Sequence, residues 1–141
     1  MQKNKPKPLD LLASEPFRFF FPFAFIFAAV GVLKWPLMFW RENASYPGQN
    51  HAFLMTEGFF GGFIIGFALT ALPRMMESRK NHKGILLLMA FVFLVMNATL
   101  NLGPVDLGNL LFIVLMLLFS FQLLLHFFHR ECLPPPGFIL M

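Results

Sequence analysis

At 141 residues, with 57% hydrophobic content, 21 phenylalanines and a mean hydropathy of +0.68, the chain carries more apolar surface than a soluble core of its size can hide. Its formal net charge of +4 comes from Lys and Arg clustered beside apolar runs, where they act as topology signals and exclude nucleic acid as a partner. The single cysteine, Cys132, excludes an intramolecular disulfide, and no Cys-x-x-Cys or His/Cys cluster surrounds it.

The N-terminal stretch MQKNKPKPLDLLASEP is basic and proline-containing, and the apolar run after it lacks a small-x-small cleavage site. It therefore reads as the lead into a retained first span. Four spans follow from run length: about Phe19 to Trp40, Ala52 to Pro73, Ile85 to Leu102 and Leu107 to Phe128. Lipid offers backbone groups no partners, and these runs lack the alternation of membrane strands, so all four are expected to be helices. The fold class is all-α, a polytopic transmembrane helical bundle forming one region over residues 1–141. Its short connections, RENASYPGQN, RMMESRKNHK and GPVD, make consecutive helices antiparallel neighbours.

Lys3, Lys5, Lys7, Arg18, Arg74, Arg79, Lys80, Lys83 and Arg130 fall on one side of this arrangement. Arg41 falls on the other, with Lys34 close enough to snorkel towards it. This bias puts both termini in the cytoplasm. Trp35, Trp40 and Tyr46 then mark the outer interface, with His51 at the outer end of the second span and His126 and His129 at the inner end of the fourth. Beyond the loop Leu133 to Pro136, residues Gly137 to Met141 begin a new apolar run. We expect a truncated fifth span of a longer protein; the other reading is a four-helix protein with an apolar tail.

The second span, NHAFLMTEGFFGGFIIGFALTALP, has features that a passive anchor does not need. Gly58, Gly62 and Gly66 are spaced by four, and Gly61 widens the narrow face they form, which suits close helix packing. His51 and Met55 extend roughly the same face, because spacings of four, three, four and four follow the helical repeat. An imidazole and a thioether together suit haem iron or Cu(I), so His51 is the candidate metal ligand and Met55 its companion in cofactor binding. The plain alternative is a packing stripe beneath an interfacial histidine.

Glu57 lies within the span, where a charge costs about 2.5–3.5 kcal/mol and normally faces protein or water. Asn97, Thr99 and Asn101 in the third span, or Gln122 in the fourth, are its expected partners; a proton relay and a neutral structural acid are both open. His126 and His129 can share a helix face as a metal pair, or serve as basic groups at a helix end. His82 belongs to the solvated run RKNHK.

The second span resembles the NnrS family, polytopic bacterial inner-membrane proteins linked to nitric oxide and nitrosative stress, with haem and copper as cofactors. That family's pattern is similar to W-H-A-H-E-M-L-F-G-F followed by G-F-L-L-T-A-x-P. His51, Ala52, Met55, Gly58 and Phe59 match its first part, and Gly66, Phe67, Leu69, Thr70, Ala71 and Pro73 its second. The run Pro16 to Phe21 is similar to the family's early G-F-R-P-F-F, and Pro134 to Phe138 to its proline-rich lead into a further span. Phe53 and Leu54 stand where the family has its second His and its Glu.

The resemblance implies a haem- or copper-binding protein of the bacterial inner membrane acting in nitric oxide tolerance, with His51 the ligand carried over and Met55 a weaker companion. The remaining helices of the same protein, or a second copy, would be its partners. The alternative is a cofactor-free transport or assembly component in which the glycines pack helices and Glu57 lines a pathway. No nucleophile-base pair, phosphate loop or HExxH motif marks an enzyme.

Overall fold

The structure, a computed structural model, describes residues 8–40, 46–78 and 80–132. Lys3, Lys5, Lys7, Arg41, Arg79 and the expected fifth span lie outside the described residues.

A short helix α1 (Pro8–Ser14) precedes α2 (Phe17–Trp40). The second span is built of α3 (Gly48–Phe53), a π-helical segment (Leu54–Phe60) and α4 (Gly61–Met75), running without a break. α5 (Lys83–Leu102) and α6 (Val105–Phe128) complete the element order, and the described residues contain no strand. The four helices Phe17–Trp40, Gly48–Met75, Lys83–Leu102 and Val105–Phe128 are each long and apolar enough to cross a membrane. All four expected spans are therefore present, with starts two to four residues earlier than the apolar runs because each helix begins in its flanking residues. Two of these starts are capped by side chains, the Phe17 N–H by Thr70 and the Ile85 N–H by His82.

α5 is the central helix. Its Leu86, Met89, Phe93, Met96 and Leu100 are fully enclosed, and they meet Phe20 of α2, Leu54, Ile65 and Leu69 of the second span, and Leu115 of α6 in one core. α2 and α6 are peripheral and leave residues such as Phe25, Leu33, Ile113 and Leu117 outward, as lipid-facing helices do.

At the end of the bundle holding the α4–α5 connection, α1 is tied down by polar contacts. Lys83 pairs with Asp10, Arg18 and Arg74 both pair with Glu15, and the Thr70 hydroxyl accepts from the Phe17 N–H at 3.2 Å. The N–H groups of Glu131 and Cys132 reach the Met76 carbonyl at this same end, at 3.1 and 3.3 Å. At the opposite end, Lys34 Nζ donates to the Asn101 carbonyl at 3.2 Å, a cation on the last turn of α5 where the helix dipole favours it.

Candidate functional site

The N-terminal half of the second span packs on α2 at a glycine. Pro47 starts α3, accepting from the His51 N–H at 2.8 Å, and this places the His51 ring one turn into the helix. Across from it, Gly31 has no side chain, and Pro36 further along α2 lacks the N–H that would bind the Val32 carbonyl. His51 Nδ1 lies 3.0 Å from the Gly31 carbonyl oxygen. A carbonyl oxygen only accepts, so Nδ1 carries the proton and Nε2 is the nitrogen whose lone pair a metal could take. Trp35 stands edge-on to the imidazole at 5.7 Å and to Tyr46 at 5.6 Å, bracing the half-buried ring.

Met55 reaches the same point of α2. A β-carbon built on Gly31 would lie 3.7 Å from Met55 Sδ and 3.8 Å from His51 Nδ1. The imidazole and the thioether thus sit beside one another, on two turns of one helix.

The turn that follows is not α-helical. The Gly61 N–H reaches back to the Thr56 carbonyl as well as to Gly58, the five-residue bond of a π-helix, and Thr56 Oγ1 donates to the Ala52 carbonyl at 2.8 Å. The spacing argument rested on 3.6 residues per turn, and the wider winding here changes its geometry. His51, Met55, Gly58, Gly62 and Gly66 nevertheless all approach α2, at Gly31, Phe27, Ala24 and Phe20 in turn. Those α2 positions follow at spacings of four, three and four, one face of a regular helix.

The glycine stripe is filled by this chain's own side chains. The Asn97 carboxamide rests directly on Gly58. A β-carbon on Gly62 would stand 2.8 Å from Phe93 and 2.9 Å from Ala24, and one on Gly66 would stand 3.0 Å from Phe20. Gly61 faces elsewhere, with Phe112 at 3.5 Å. α2 and α5 occupy the groove, and no planar cofactor has room along it.

Glu57 sits in the π segment, half-buried, with Oε2 enclosed and without a hydrogen-bond partner. None of its expected partners bonds this oxygen. Asn97 Nδ2 donates to the Phe93 carbonyl at 2.9 Å, the Thr99 hydroxyl to Met96 at 2.7 Å, and the Asn101 carbonyl takes Lys34. Asn97 Oδ1 is likewise buried without a partner. Among the described residues no three His, Cys, Asp or Glu side chains converge as a metal cluster.

A second polar cluster lies at the far end of the bundle. His126 is 3% exposed, with Nδ1 2.9 Å from Ser78 Oγ and Nε2 3.0 Å from Asn81 Oδ1. Gln122 reaches the same Nε2 at 3.2 Å, and Asn81 Nδ2 donates to the Ala13 and Leu69 carbonyls, each at 2.9 Å. His129 takes no part, since its Nδ1 donates to Leu125 at 2.8 Å. His82 caps α5, its ring accepting from the Ile85 N–H. Gly31, Asn81 and Ser78 escaped the sequence reading. An uncharged Asn inside a basic loop, RKNHK, is the only mark Asn81 leaves there.

Comparison with protein families shows that the model described as NnrS protein aligns with residues 11–135. No curated protein and no solved structure matches.

Proposed function

The chain belongs to the NnrS family, and from that premise we propose a multi-pass protein of the bacterial inner membrane, with its N-terminus in the cytoplasm, that binds haem or copper through His51 and serves in nitric oxide tolerance. The observation that carries this reading is the His51–Gly31 bond at 3.0 Å. Metal-ligating histidines commonly donate their second ring N–H to a backbone carbonyl, which fixes the tautomer and aims the other nitrogen at the metal.

The residues present fit copper better than a buried haem. Met55 brings a soft thioether beside the imidazole, the donor pair that Cu(I) prefers. A haem would take His51 as an axial ligand with its macrocycle off the glycine stripe, which Asn97 and the phenylalanines occupy. With Phe53 and Leu54 at the positions of the family's other donors, further helices or a second copy would complete the coordination.

The test is the oxidised and reduced visible spectra and the copper content of the detergent-purified protein from cofactor-replete cells, repeated for His51→Ala and Met55→Leu. The expected result is a Soret band or stoichiometric copper that His51→Ala abolishes and Met55→Leu weakens. A colourless, copper-free protein overturns the reading.

The filled glycine stripe favours a second reading, a cofactor-free transport or assembly component in which this face only packs helices and Glu57 borders a pathway. It predicts that Glu57→Gln impairs nitric oxide tolerance in cells whereas His51→Ala does not.

A further inference from the structure

The last turns of α4 run beside the first turns of α2, antiparallel to them, and leave a groove of about 360 Å³ between the two helices. Its α4 wall is Phe67, Ala71 and Met75, spaced by four along one helix face, and its α2 wall is Phe17 and Phe21, one turn apart. The groove opens outward, because Phe67 and Met75 are exposed. Phe21 stacks on Phe63 at 4.3 Å, which closes the end towards the middle of the span. The Thr70 hydroxyl also lines the groove but is engaged with backbone on both sides, accepting from the Phe17 N–H at 3.2 Å and donating to the Gly66 carbonyl at 2.7 Å. The one charged group among the described lining residues is Arg74, at the helix end.

Arg74 is only partly neutralised. Its guanidinium is 61% exposed and makes one contact with Glu15 Oε1 at 3.3 Å, while Arg18 takes the other oxygen of that carboxylate. One carboxylate thus serves two guanidiniums. Asp10 offsets Lys83, and Lys80 shares the polar cleft on the other side of Arg74 with Glu77, so the described residues of this corner hold one positive charge in excess. A guanidinium has five N–H donors in a fork that matches phosphate oxygens, and the Glu15 contact occupies one of them. An apolar groove along a helix long enough to cross a membrane, with an arginine at its polar end, combines room for a hydrocarbon chain with a partner for phosphate. A zwitterionic headgroup brings its own cation towards Arg74, whereas an anionic one brings the single negative charge that the corner lacks.

We propose that this groove holds one anionic glycerophospholipid, with an acyl chain against Phe21, Phe67 and Ala71 and its phosphate on Arg74. The site requires only that the chain crosses a membrane. It lies at the opposite end of the second span from His51, so neither reading depends on the other.

The experiment is native mass spectrometry of the purified full chain in a non-ionic detergent, titrated with phosphatidylglycerol and separately with phosphatidylcholine of the same acyl chains. The expected result is a single, saturating phosphatidylglycerol adduct held about fivefold more tightly than phosphatidylcholine, the advantage that one arginine gives at a membrane surface. Arg74→Gln, a change at an exposed side chain, should bring the two lipids to parity. Ala71→Phe fills the groove without altering charge and should weaken both. Glu15→Gln separates headgroup binding from support of α1, because it frees Arg74 and should keep or strengthen the preference, whereas a purely structural arginine loses its effect in this variant too. Equal retention of the two lipids by the parent chain means annular lipid only and overturns the proposal. So does a preference that survives Arg74→Gln or disappears in Glu15→Gln, and so does binding that Ala71→Phe leaves unchanged.

Discussion

The imidazole of His51 donates to the backbone of Gly31, a residue of the preceding span, at 3.0 Å, so the orientation of the candidate ligand is set by a position that has no side chain. A β-carbon on Gly31 would stand 3.3 Å from Leu54 Cβ, which a few tenths of an ångström of movement relieves. Under the proposed ligand role of His51, Gly31→Ala should therefore keep haem or copper with reduced occupancy. Gly31→Val adds two further carbons, costs about 1–3 kcal/mol as overpacking, and should lose the cofactor as His51→Ala does. Cofactor content per protein, with helicity as the control for folding, checks both.

Gly58 and Asn97 should be energetically coupled. Gly58→Ala drives a methyl into the Asn97 carboxamide, an overpacking worth about 1–3 kcal/mol, and Asn97→Ala removes the obstacle. A double-mutant cycle by unfolding in mixed micelles should give an interaction energy of about 0.5–3 kcal/mol. Gly61→Ala, whose nearest side chain is Phe112 at 3.5 Å, should unfold like the parent.

Asn81 should be among the most sensitive polar positions in the molecule. Asn81→Ala strands the buried Ala13 and Leu69 carbonyls, at about 1–3 kcal/mol for each group left unmet. Asn81→Asp should be worse, because it sets a second oxygen against those carbonyls. Thermal unfolding ranks the variants, and hydrogen exchange in α1 should rise in both, since Asn81 is one of the ties that hold that helix.

At low pH the α1–α2 corner should loosen. The hydrogen bond from Arg18, helped by the charges of Arg18 and Arg74, holds the Glu15 carboxyl below its ordinary value of 4.5. The stabilisation is therefore complete above that ordinary value and is lost as pH falls through the lower folded one. The group is exposed, so the effect on stability is small. A carbon-detected titration of the Glu15 carboxyl should show its midpoint moving up towards 4.5 in Arg18→Gln.

Much of the fold was legible because the bilayer asks one simple thing of a helix, an apolar run of sufficient length, and the four spans meet it within a few residues at each end. The glycines at 58, 62 and 66 were visible as a packing face for the same kind of reason, since small residues at helical spacing leave a pattern. α1 was not visible, because seven residues held by Lys83 and Asn81 form no apolar run of their own. The partners of His51 and Asn81 were hidden more deeply. Both bond to backbone carbonyls, and a carbonyl is common to every residue type, so nothing in the letters at Gly31, Ala13 or Leu69 announces the bond. The partners expected for Glu57 were plausible by depth, yet Asn97 and Thr99 bond backbone carbonyls and Gln122 bonds His126 and Asn81 instead.

The π segment makes the count of residues between His51 and Gly62 matter as much as their identity. Deleting one residue from Leu54–Phe60 would let the stretch wind as an ordinary α-helix, and each residue of such a helix turns it by about 100°. The lower glycines could stay against α2 while His51 swung away from Gly31. In related chains that use this histidine, gaps should therefore be absent from this stretch even where its letters drift, and a natural one-residue deletion would mark a lineage that has given up the His51 contact.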